Sequence, residues 1–360
     1  MTQQYDLIRS RKAGRAAGSN PSIRYDRQTV EAFDDGWDGE VELPVLRTHV
    51  SDESQRKVIT RNSSPDLSFD RSINPYRGCE HGCIYCFARP SHAYLGLSPG
   101  LDFETRLIAR PDAAVQLEKE LRARAYVPRT IAIGTNTDPY QPIEKSRGIM
   151  RECLQVLARF NHPVAIVTKG TLIERDIDIL APMAANGLLR VGMSVTTLDP
   201  KTSRAMEPRC PLPAARLRTI KRLTEAGIPV RAMVSPVVPA LTDHELEAIL
   251  TACAGAGAVA ASSIVLRLPR EVSGLFQDWL AEHYPDRADR VMNRVRELHG
   301  GKDYDPEFGT RMRGQGKWAE LIQQRFKLAT RKLGLDRSLP DLRADLFQVP
   351  PQKGDQLDLF

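Results

Sequence analysis

Residues 73–90 read INPYRGCEHGCIYCFARP and hold three cysteines within eight positions. Cys79, Cys83 and Cys86 follow the spacing C-x3-C-x2-C, so that one short loop can turn all three thiols toward a common centre. Soft thiolates favour zinc, copper(I) and iron–sulfur clusters. The stretch therefore predicts a metal site, and the surrounding pattern indicates where in the fold this site lies.

Short apolar runs alternate with amphipathic segments from about residue 66 onward. Six such alternations predict parallel strands joined by crossover helices, in a doubly wound sheet or in a barrel, complete or partial. In either architecture the reactive groups gather beyond the carboxyl ends of the strands. The predicted strands are residues 67–73, 130–133, 164–167, 189–195, 230–234 and 263–268.

Polar turns follow the predicted strand ends, which favours a site at that edge. The cysteine loop follows the first strand, and the later turns read GTNTDP, TKG, SVTTLD and SPVVP. Ordinary connecting loops have a similar composition, so the turns favour a site without identifying its chemistry.

Zinc and an iron–sulfur cluster are the two candidates for the cysteine loop. His81 and His92 lie close enough in sequence to complete a four-ligand zinc site. A second Cys or His pair at the usual zinc-finger distance is missing from the sequence. A cluster held by three thiolates leaves one iron open to a substrate or cofactor. The remaining cysteines, Cys153, Cys210 and Cys253, are expected to be buried as small apolar side chains.

The extended pattern NPYRGC-x3-C-x-YC, followed by a TDPYQP turn, resembles the radical S-adenosylmethionine superfamily and its spore photoproduct lyase-related branch. The resemblance covers roughly residues 66–270. It implies an α/β fold, namely a partial (β/α)6 TIM-like barrel with a C-terminal helical extension and flexible tails. It also implies a [4Fe–4S] cluster and S-adenosyl-L-methionine as cofactors, with an electron donor such as flavodoxin or ferredoxin.

The resemblance assigns expected roles by position. Cys79, Cys83 and Cys86 would hold the cluster, and the cofactor's amino and carboxylate groups would bind the fourth iron. Tyr85 would lie near the adenine. The remaining expected contacts of the cofactor are Thr135, Asn136 and Thr137 at its methionyl end, together with Lys169 and Ser194.

Two departures separate this chain from spore photoproduct lyase itself. That family returns a hydrogen atom through a cysteine near the second strand end, with tyrosines on both sides of the last cluster cysteine. Here Thr135 or Asn136 occupies the first place and Phe87 the second. Neither replacement can return a hydrogen atom in the same way, so the resemblance supports radical generation and not the same lyase reaction.

Charge divides the rest of the chain into regions. The 360-residue sequence contains 41% apolar residues, which suits a globular core. Its net charge of +6 points to an anionic partner such as nucleic acid. Opposed basic and acidic blocks favour a mobile leader at 1–60. We predict a radical enzyme core at 61–272, a basic helical extension at 273–335 and a flexible tail at 336–360. Twelve Lys or Arg oppose six Asp or Glu between Arg287 and Lys332, with interleaved aromatics, as in nucleic-acid-binding surfaces and in solvated helices.

The sequence ends with a QLDLF pentapeptide, which resembles the peptide by which bacterial proteins bind the sliding clamp. A tether containing prolines would present its apolar side chains to a groove; a tail folded back on its own core is the alternative. The related segment 343–347, RADLF, lacks the glutamine and is interpreted as a secondary contact or a packing segment. The expected clamp-binding residues are Gln356, Leu357, Asp358, Leu359 and Phe360.

These observations lead to three functional hypotheses. The first is a radical enzyme that acts on a damaged or modified nucleotide of DNA and is recruited by the clamp. The second is the same chemistry on RNA or protein, and the third is a zinc- or cluster-bearing accessory protein without turnover. No apolar run approaches the ~20 residues of a membrane span, and no export signal is recognisable, so we expect no membrane partner and a cytoplasmic, nucleoid-associated protein.

Overall fold

The computed structural model describes residues 14–25 and 46–351. Its strands form two sheets, a large one and a small one. The strands are β1 (His49–Asp52), β2 (Thr60–Arg61), β3 (Arg71–Ile73), β4 (Tyr76–Arg77), β5 (Arg106–Ala109), β6 (Ile131–Ile133), β7 (Val164–Thr168), β8 (Leu189–Ser194), β9 (Val230–Val237) and β10 (Ala260–Val265).

The large sheet has the order β10-β9-β8-β7-β6-β3-β2. Its strands from β3 to β10 are parallel neighbours, and the short β2 pairs antiparallel with β3 at the edge. The six parallel strands overlap the six predicted runs, although β10 begins and ends three residues before the predicted 263–268. Their order in the sheet follows the chain. This topology confirms the predicted α/β fold with a partial (β/α)6 barrel.

Helices cover the outer face of this sheet, because each connection between parallel strands must carry the chain back from the carboxyl end of one strand to the amino end of the next. The core between them combines apolar strand residues with buried helix residues such as Leu154, Leu180 and Leu250. The helices are α1 (Leu101–Thr105), α2 (Ala113–Leu121), α3 (Glu144–Arg147), α4 (Ile149–Arg159), α5 (Ile177–Ala185), α6 (Pro200–Met206), α7 (Pro213–Glu225), α8 (Leu246–Gly255), α9 (Glu271–His283), α10 (Ala288–Leu298) and α11 (Gly316–Leu333).

The small sheet supports the cysteine loop. Its order is β1-β5-β4, with β1 parallel and β4 antiparallel to β5. Tyr76 and Arg77 of β4 pair with Ala109 and Ile108, and the cysteine loop leaves β4 directly. The loop is thereby fixed between the small sheet and the carboxyl end of the large one.

Part of the predicted mobile leader is packed against the core. The main-chain amides of Ala16 and Ala17 donate to the buried carboxylate of Glu104 at 3.2 and 3.0 Å. Leu101 donates to the carbonyl of Ser19 at 3.1 Å. Residues 14–25 and 46–60 thus belong to the folded body, while residues 1–13 and 26–45 lie outside the described part.

The beginning of the predicted flexible tail is likewise packed. Phe347 lies 5.6 Å from the Tyr126 ring and meets the His162 ring edge to face at 5.6 Å. Gln348 donates its main-chain amide to the carbonyl of Phe160 at 3.1 Å. The segment 343–347 is therefore a packing segment, whereas Gln356–Phe360 lies outside the described residues.

The extension after β10 is helical, as the sequence predicts. α11 packs against α8, where Arg325 donates to the carboxylate of Glu247 at 2.6 Å. Across the described ranges, none of the helices is both long and apolar enough to cross a membrane.

Candidate active site

Two glycines allow the cysteine loop to fold tightly over α1. Gly78 and Gly82 have φ values of +75° and +66°, a region that favours glycine. A Cβ at Gly78 would lie 2.6 Å from Leu107, and one at Gly82 would lie 2.7 Å from the Glu104 carboxylate. The glycines of the motif are thus required by the close approach of the loop to the layer beneath it.

Arg89 fixes the same loop from inside. Its buried guanidinium donates to the carbonyls of Gly82 at 3.1 Å and Cys83 at 3.0 Å. It also donates to the carboxylate of Glu104 at 2.5 Å and to the carbonyls of Pro99 and Gly100. All five of its N–H donors have acceptors, so none is left unsatisfied and the loop is tied to α1.

The TDPYQP turn holds the loop from the other side. Gln141, fully buried, donates to the carbonyl of Gly78 at 3.2 Å and accepts from the main-chain amide of Glu80 at 2.9 Å. Thr137 donates its hydroxyl to the carbonyl of Tyr76 at 2.8 Å. These contacts bracket Cys79 and explain physically why the two separate motifs occur together.

Asp138 of this turn joins the loop to β7, although sequence reasoning did not single it out. Its carboxylate accepts from the Thr168 hydroxyl at 2.6 Å and from the Lys169 amide at 2.7 Å, and it lies 3.3 Å from Nδ1 of His81. Burial alone would raise the pKa of Asp138, but His81 and these hydrogen bonds lower it to about 2. The same contact raises the pKa of His81, against the effect of its burial. His81 is therefore engaged as an ion-pair partner of Asp138.

The three thiols of this braced loop are all at least partly shielded from solvent. Cys79 is 7% exposed, and Cys83 and Cys86 are half-buried. Burial, followed by the nearby Cys83, raises the pKa of the Cys86 thiol to about 12. Within residues 14–25 and 46–351, no three His, Cys, Asp or Glu side chains converge on the position of a single metal ion. The donor set, soft thiols alone, fits an iron–sulfur cluster.

A buried charged cluster lies beside Cys83, and sequence reasoning found only its members Tyr85 and Lys169. We call it the Glu207 cluster; it comprises Tyr85, Lys169, Thr196, Glu207 and Arg216. The Glu207 carboxylate accepts from the Tyr85 hydroxyl, from Arg216 and from the Thr196 hydroxyl at 2.9 Å. Burial opposes ionisation, but Arg216 and Lys169 lower the pKa of Glu207 to about 2. A fixed negative charge thus lies at the centre of the site.

Lys169 completes this cluster at the end of β7. Its ammonium lies 5.9 Å from the centroid of the Tyr85 ring. Burial lowers the pKa of Lys169, but Glu207 and the thiols of Cys83 and Cys210 reverse the effect, so that the group remains cationic. The Lys169 ammonium therefore lies next to both the Tyr85 ring and the cysteine loop.

The other predicted cofactor contacts lie at neighbouring strand ends. Ser194 ends β8, is 3% exposed and accepts at its carbonyl from Arg216 at 3.1 Å, which places it beside the Glu207 cluster. Thr135 and Asn136 are half-buried in the turn after β6. Thr137 differs from these two residues, because it is buried and its hydroxyl already donates to the carbonyl of Tyr76.

Comparisons with known proteins fit this geometry. A model of the radical SAM superfamily matches residues 73–253. An uncharacterised protein of Mycobacterium tuberculosis is 39% identical over 242 residues, which is 67% of this chain and 70% of the relative. An uncharacterised protein of Methanocaldococcus jannaschii is 27% identical over 173 residues, 48% of this chain and 62% of the relative.

Solved structures of spore photoproduct lyase share the fold. The complex with dinucleoside spore photoproduct has a TM-score of 0.57 and 16% identity, and it covers 84% of this chain and 85% of that chain. A variant with bound AdoMet and the dinucleoside has the same score and coverage. The family model spans half of the chain and contains the whole cysteine loop. The chain therefore belongs to the radical SAM superfamily, whose enzymes use a [4Fe–4S] cluster and S-adenosylmethionine.

Proposed function

We propose that this enzyme acts on DNA, at a damaged or modified nucleotide, and that the sliding clamp recruits it. Cys79, Cys83 and Cys86 would hold the cluster. With both cofactors bound, the site would supply one-electron reductive cleavage of S-adenosylmethionine, which gives methionine and a 5′-deoxyadenosyl radical able to abstract hydrogen from substrate. A donor such as flavodoxin or ferredoxin would provide the electron.

The chain's own groups would bind and orient the cofactor. The Lys169 cation suits the methionyl carboxylate, and the Tyr85 ring suits the adenine. Thr135, Asn136 and Ser194 would add polar contacts at the same strand ends. Thr137 would act indirectly, by positioning the turn through its bond to Tyr76.

Glu207 would keep this arrangement rigid. Its buried carboxylate holds the Tyr85 hydroxyl and Arg216 in place, so that the Tyr85 ring cannot swing away when the cofactor enters. A buried, hydrogen-bonded network of this kind would rigidify the site beside Cys83.

One observation beside the cluster loop carries the proposal of a nucleic-acid substrate. Phe87 directly follows Cys86, and its side chain is 48% exposed. The Arg267 guanidinium lies 5.2 Å from the centroid of the Phe87 ring and 5.9 Å from that of Tyr304. An exposed ring accompanied by arginine suits base stacking next to a phosphate. The structural relatives that bind a dinucleoside photoproduct support DNA.

The reaction should differ from that of spore photoproduct lyase. Phe87 carries no hydroxyl that could relay a hydrogen atom, and the turn after β6 offers Thr135 and Asn136 in place of a cysteine. The hydrogen atom abstracted from substrate would therefore return by another route, or the product would remain oxidised.

Anaerobic turnover tests the proposal. Reconstituted protein would be incubated with S-adenosylmethionine, a reductant and ultraviolet-irradiated DNA, unirradiated DNA or RNA of the same sequence. We expect 5′-deoxyadenosine and an altered nucleotide with irradiated DNA above the level of the other two. Equal turnover with all three, or an altered nucleotide only with RNA, would contradict a DNA substrate.

A further inference from the structure

The concave face of the large sheet encloses a cavity that none of the proposed cofactor contacts occupies. Its volume is about 1040 Å³, and its wall comes from the inner faces of β7 to β10, residues 62–70 and the tail segment at 341–344. Its charged lining residues are Asp70, Arg129, Arg190, Arg231 and Asp341.

Two arginines of this wall, Arg190 and Arg231, lie on neighbouring strands. Each is the second residue of its strand, β8 and β9, so both lie at the amino end of the lumen. Arg231 of β9 pairs with Gly192 of β8. Gly192 lies two positions after Arg190, and residues two positions apart on a strand face the same side of the sheet. The two guanidiniums therefore stand side by side on the inner wall.

Neither guanidinium has an acidic partner in the part of the chain that the structure describes. Asp70 is already paired with Arg71 at 2.8 Å and Arg129 at 3.2 Å. Asp341 forms no ion pair within those same residues. Burial, and then the positive charge of Arg190, lower the pKa of Arg231. Two like charges thus face one cavity, and neither forms an ion pair within the described residues.

Ser262 adds an independent sign of a missing ligand. Its hydroxyl oxygen is buried and has no hydrogen-bond partner, and the residue lines the same cavity. In β10 it pairs with Met233, two positions beyond Arg231 on the same face. A buried polar group normally has a partner, so this hydroxyl and the two guanidiniums together present donors to an acceptor-rich anion.

We propose that Arg190, Arg231 and Ser262 bind a phosphate of the nucleic-acid strand whose reacting nucleotide lies at the carboxyl end of the lumen. This inference rests on the proposed function. Arg190 and Ser194 are four residues apart on β8, which corresponds to about 13 Å along the strand. A flanking phosphate of an oligonucleotide can occupy the amino end while its nucleotide lies near the cysteine loop, whereas a free phosphate cannot connect the two ends.

Fluorescence anisotropy with a labelled single-stranded oligothymidylate tests the inference. Arg190→Gln and Arg231→Gln would be compared with Arg218→Gln, which removes the same charge from the exposed face of α7. We expect each lumen variant to bind about tenfold more weakly and to reduce the slope of log affinity against log salt by about 0.7, as for one lost phosphate contact. Arg218→Gln should bind like the wild type.

A second variant separates loss of charge from loss of fold. Arg231→Lys keeps the cation and should retain the wild-type salt slope, even if its affinity is lower. Lumen variants that bind like Arg218→Gln would overturn the proposal. So would a thermal shift with inorganic phosphate that depends on Arg231 while oligonucleotide binding does not, since the site would then take a small free anion. Cofactor cleavage by the wild-type protein tests the proposed function separately.

Discussion

The sulfur atoms of Cys83 and Cys210 lie 3.9 Å apart, although 127 positions separate the two residues in sequence. Cys210 follows Glu207 by three positions and is 3% exposed. The pKa of Cys83 is lowered, first by its contact with Cys210. A fourth thiol therefore stands beside a predicted cluster ligand, at a position where the sequence indicated only a small apolar side chain.

Removal of single thiols should distinguish ligand from neighbour. We expect Cys83→Ala to lose nearly all iron after anaerobic reconstitution, because a three-thiolate site has no spare ligand. Cys210→Ala should retain about four iron and four sulfide per chain. Iron and sulfide analysis, with the visible absorption of the cluster, gives the readout. Cys253→Ala, in the buried face of α8, is the control for a lost core thiol.

Arg89→Lys should destabilise the cysteine loop. Lysine keeps the charge but cannot reach the carbonyls of Gly82 and Cys83 together with the Glu104 carboxylate. The free energy of unfolding should fall by about 3 kcal/mol, and cluster occupancy should fall with it. Arg129 forms a solvent-exposed ion pair with Asp70. Arg129→Lys should therefore change the free energy of unfolding by less than about 1 kcal/mol. Urea unfolding of the two variants measures the difference, and equal losses would contradict the role of Arg89.

The barrel strands were predictable because each is a short apolar run followed by a turn. The run at 230–234 lies in β9 (Val230–Val237), where buried and partly buried residues alternate along most of the strand. The first predicted strand, 67–73, was too long, since only Arg71–Ile73 pairs with β6. The hairpin partner β2 has two polar residues and gives no strand pattern at all. Edge pairing of this kind depends on tertiary contacts and not on local composition.

The Glu207 cluster was not predictable for a related reason. Its members come from the cysteine loop, two strand ends, the residue after α6 and the first half of α7, and no spacing in the sequence joins them. Tyr85 and Lys169 were found through resemblance to a family, whereas Glu207 and Arg216 belong to no quoted motif. A buried Glu–Arg pair has the same local sequence as an exposed one, so only the three-dimensional structure distinguishes them.

Phe87→Leu should weaken binding of single-stranded oligonucleotide about tenfold, because leucine keeps the apolar bulk but offers no ring on which a base can stack. The measurement is anisotropy with the reconstituted protein. Val115→Ala, at a 69% exposed position on α2, controls for loss of an exposed apolar side chain. Unchanged affinity of Phe87→Leu would contradict base stacking next to the cysteine loop.

Deletion of Gln356–Phe360 should abolish binding to purified sliding clamp. The related segment at 343–347 cannot substitute, because Phe347 packs against Tyr126 and His162. Surface plasmon resonance with immobilised clamp would measure the loss, and Lys353→Ala, in the same tail but outside the pentapeptide, should bind normally. Residual binding by the deletion variant at wild-type affinity would refute this role of the pentapeptide.

His162 should make stability depend on pH below neutrality. It is fully buried, accepts from or donates to the Tyr126 hydroxyl at 2.7 Å, and has its pKa lowered to about 4, chiefly by burial. Between this value and the ordinary value of 6.5 the unfolded chain binds a proton that the folded chain does not. The contribution of His162 to the free energy of unfolding should therefore be constant above pH ~6.5 and fall by about 3 kcal/mol as the pH drops to ~4. Thermal melts across this range should show a flatter dependence for His162→Gln than for the wild type. The exposed His244→Gln should keep the wild-type dependence, and an equal slope in all three proteins would exclude His162 as the titrating group.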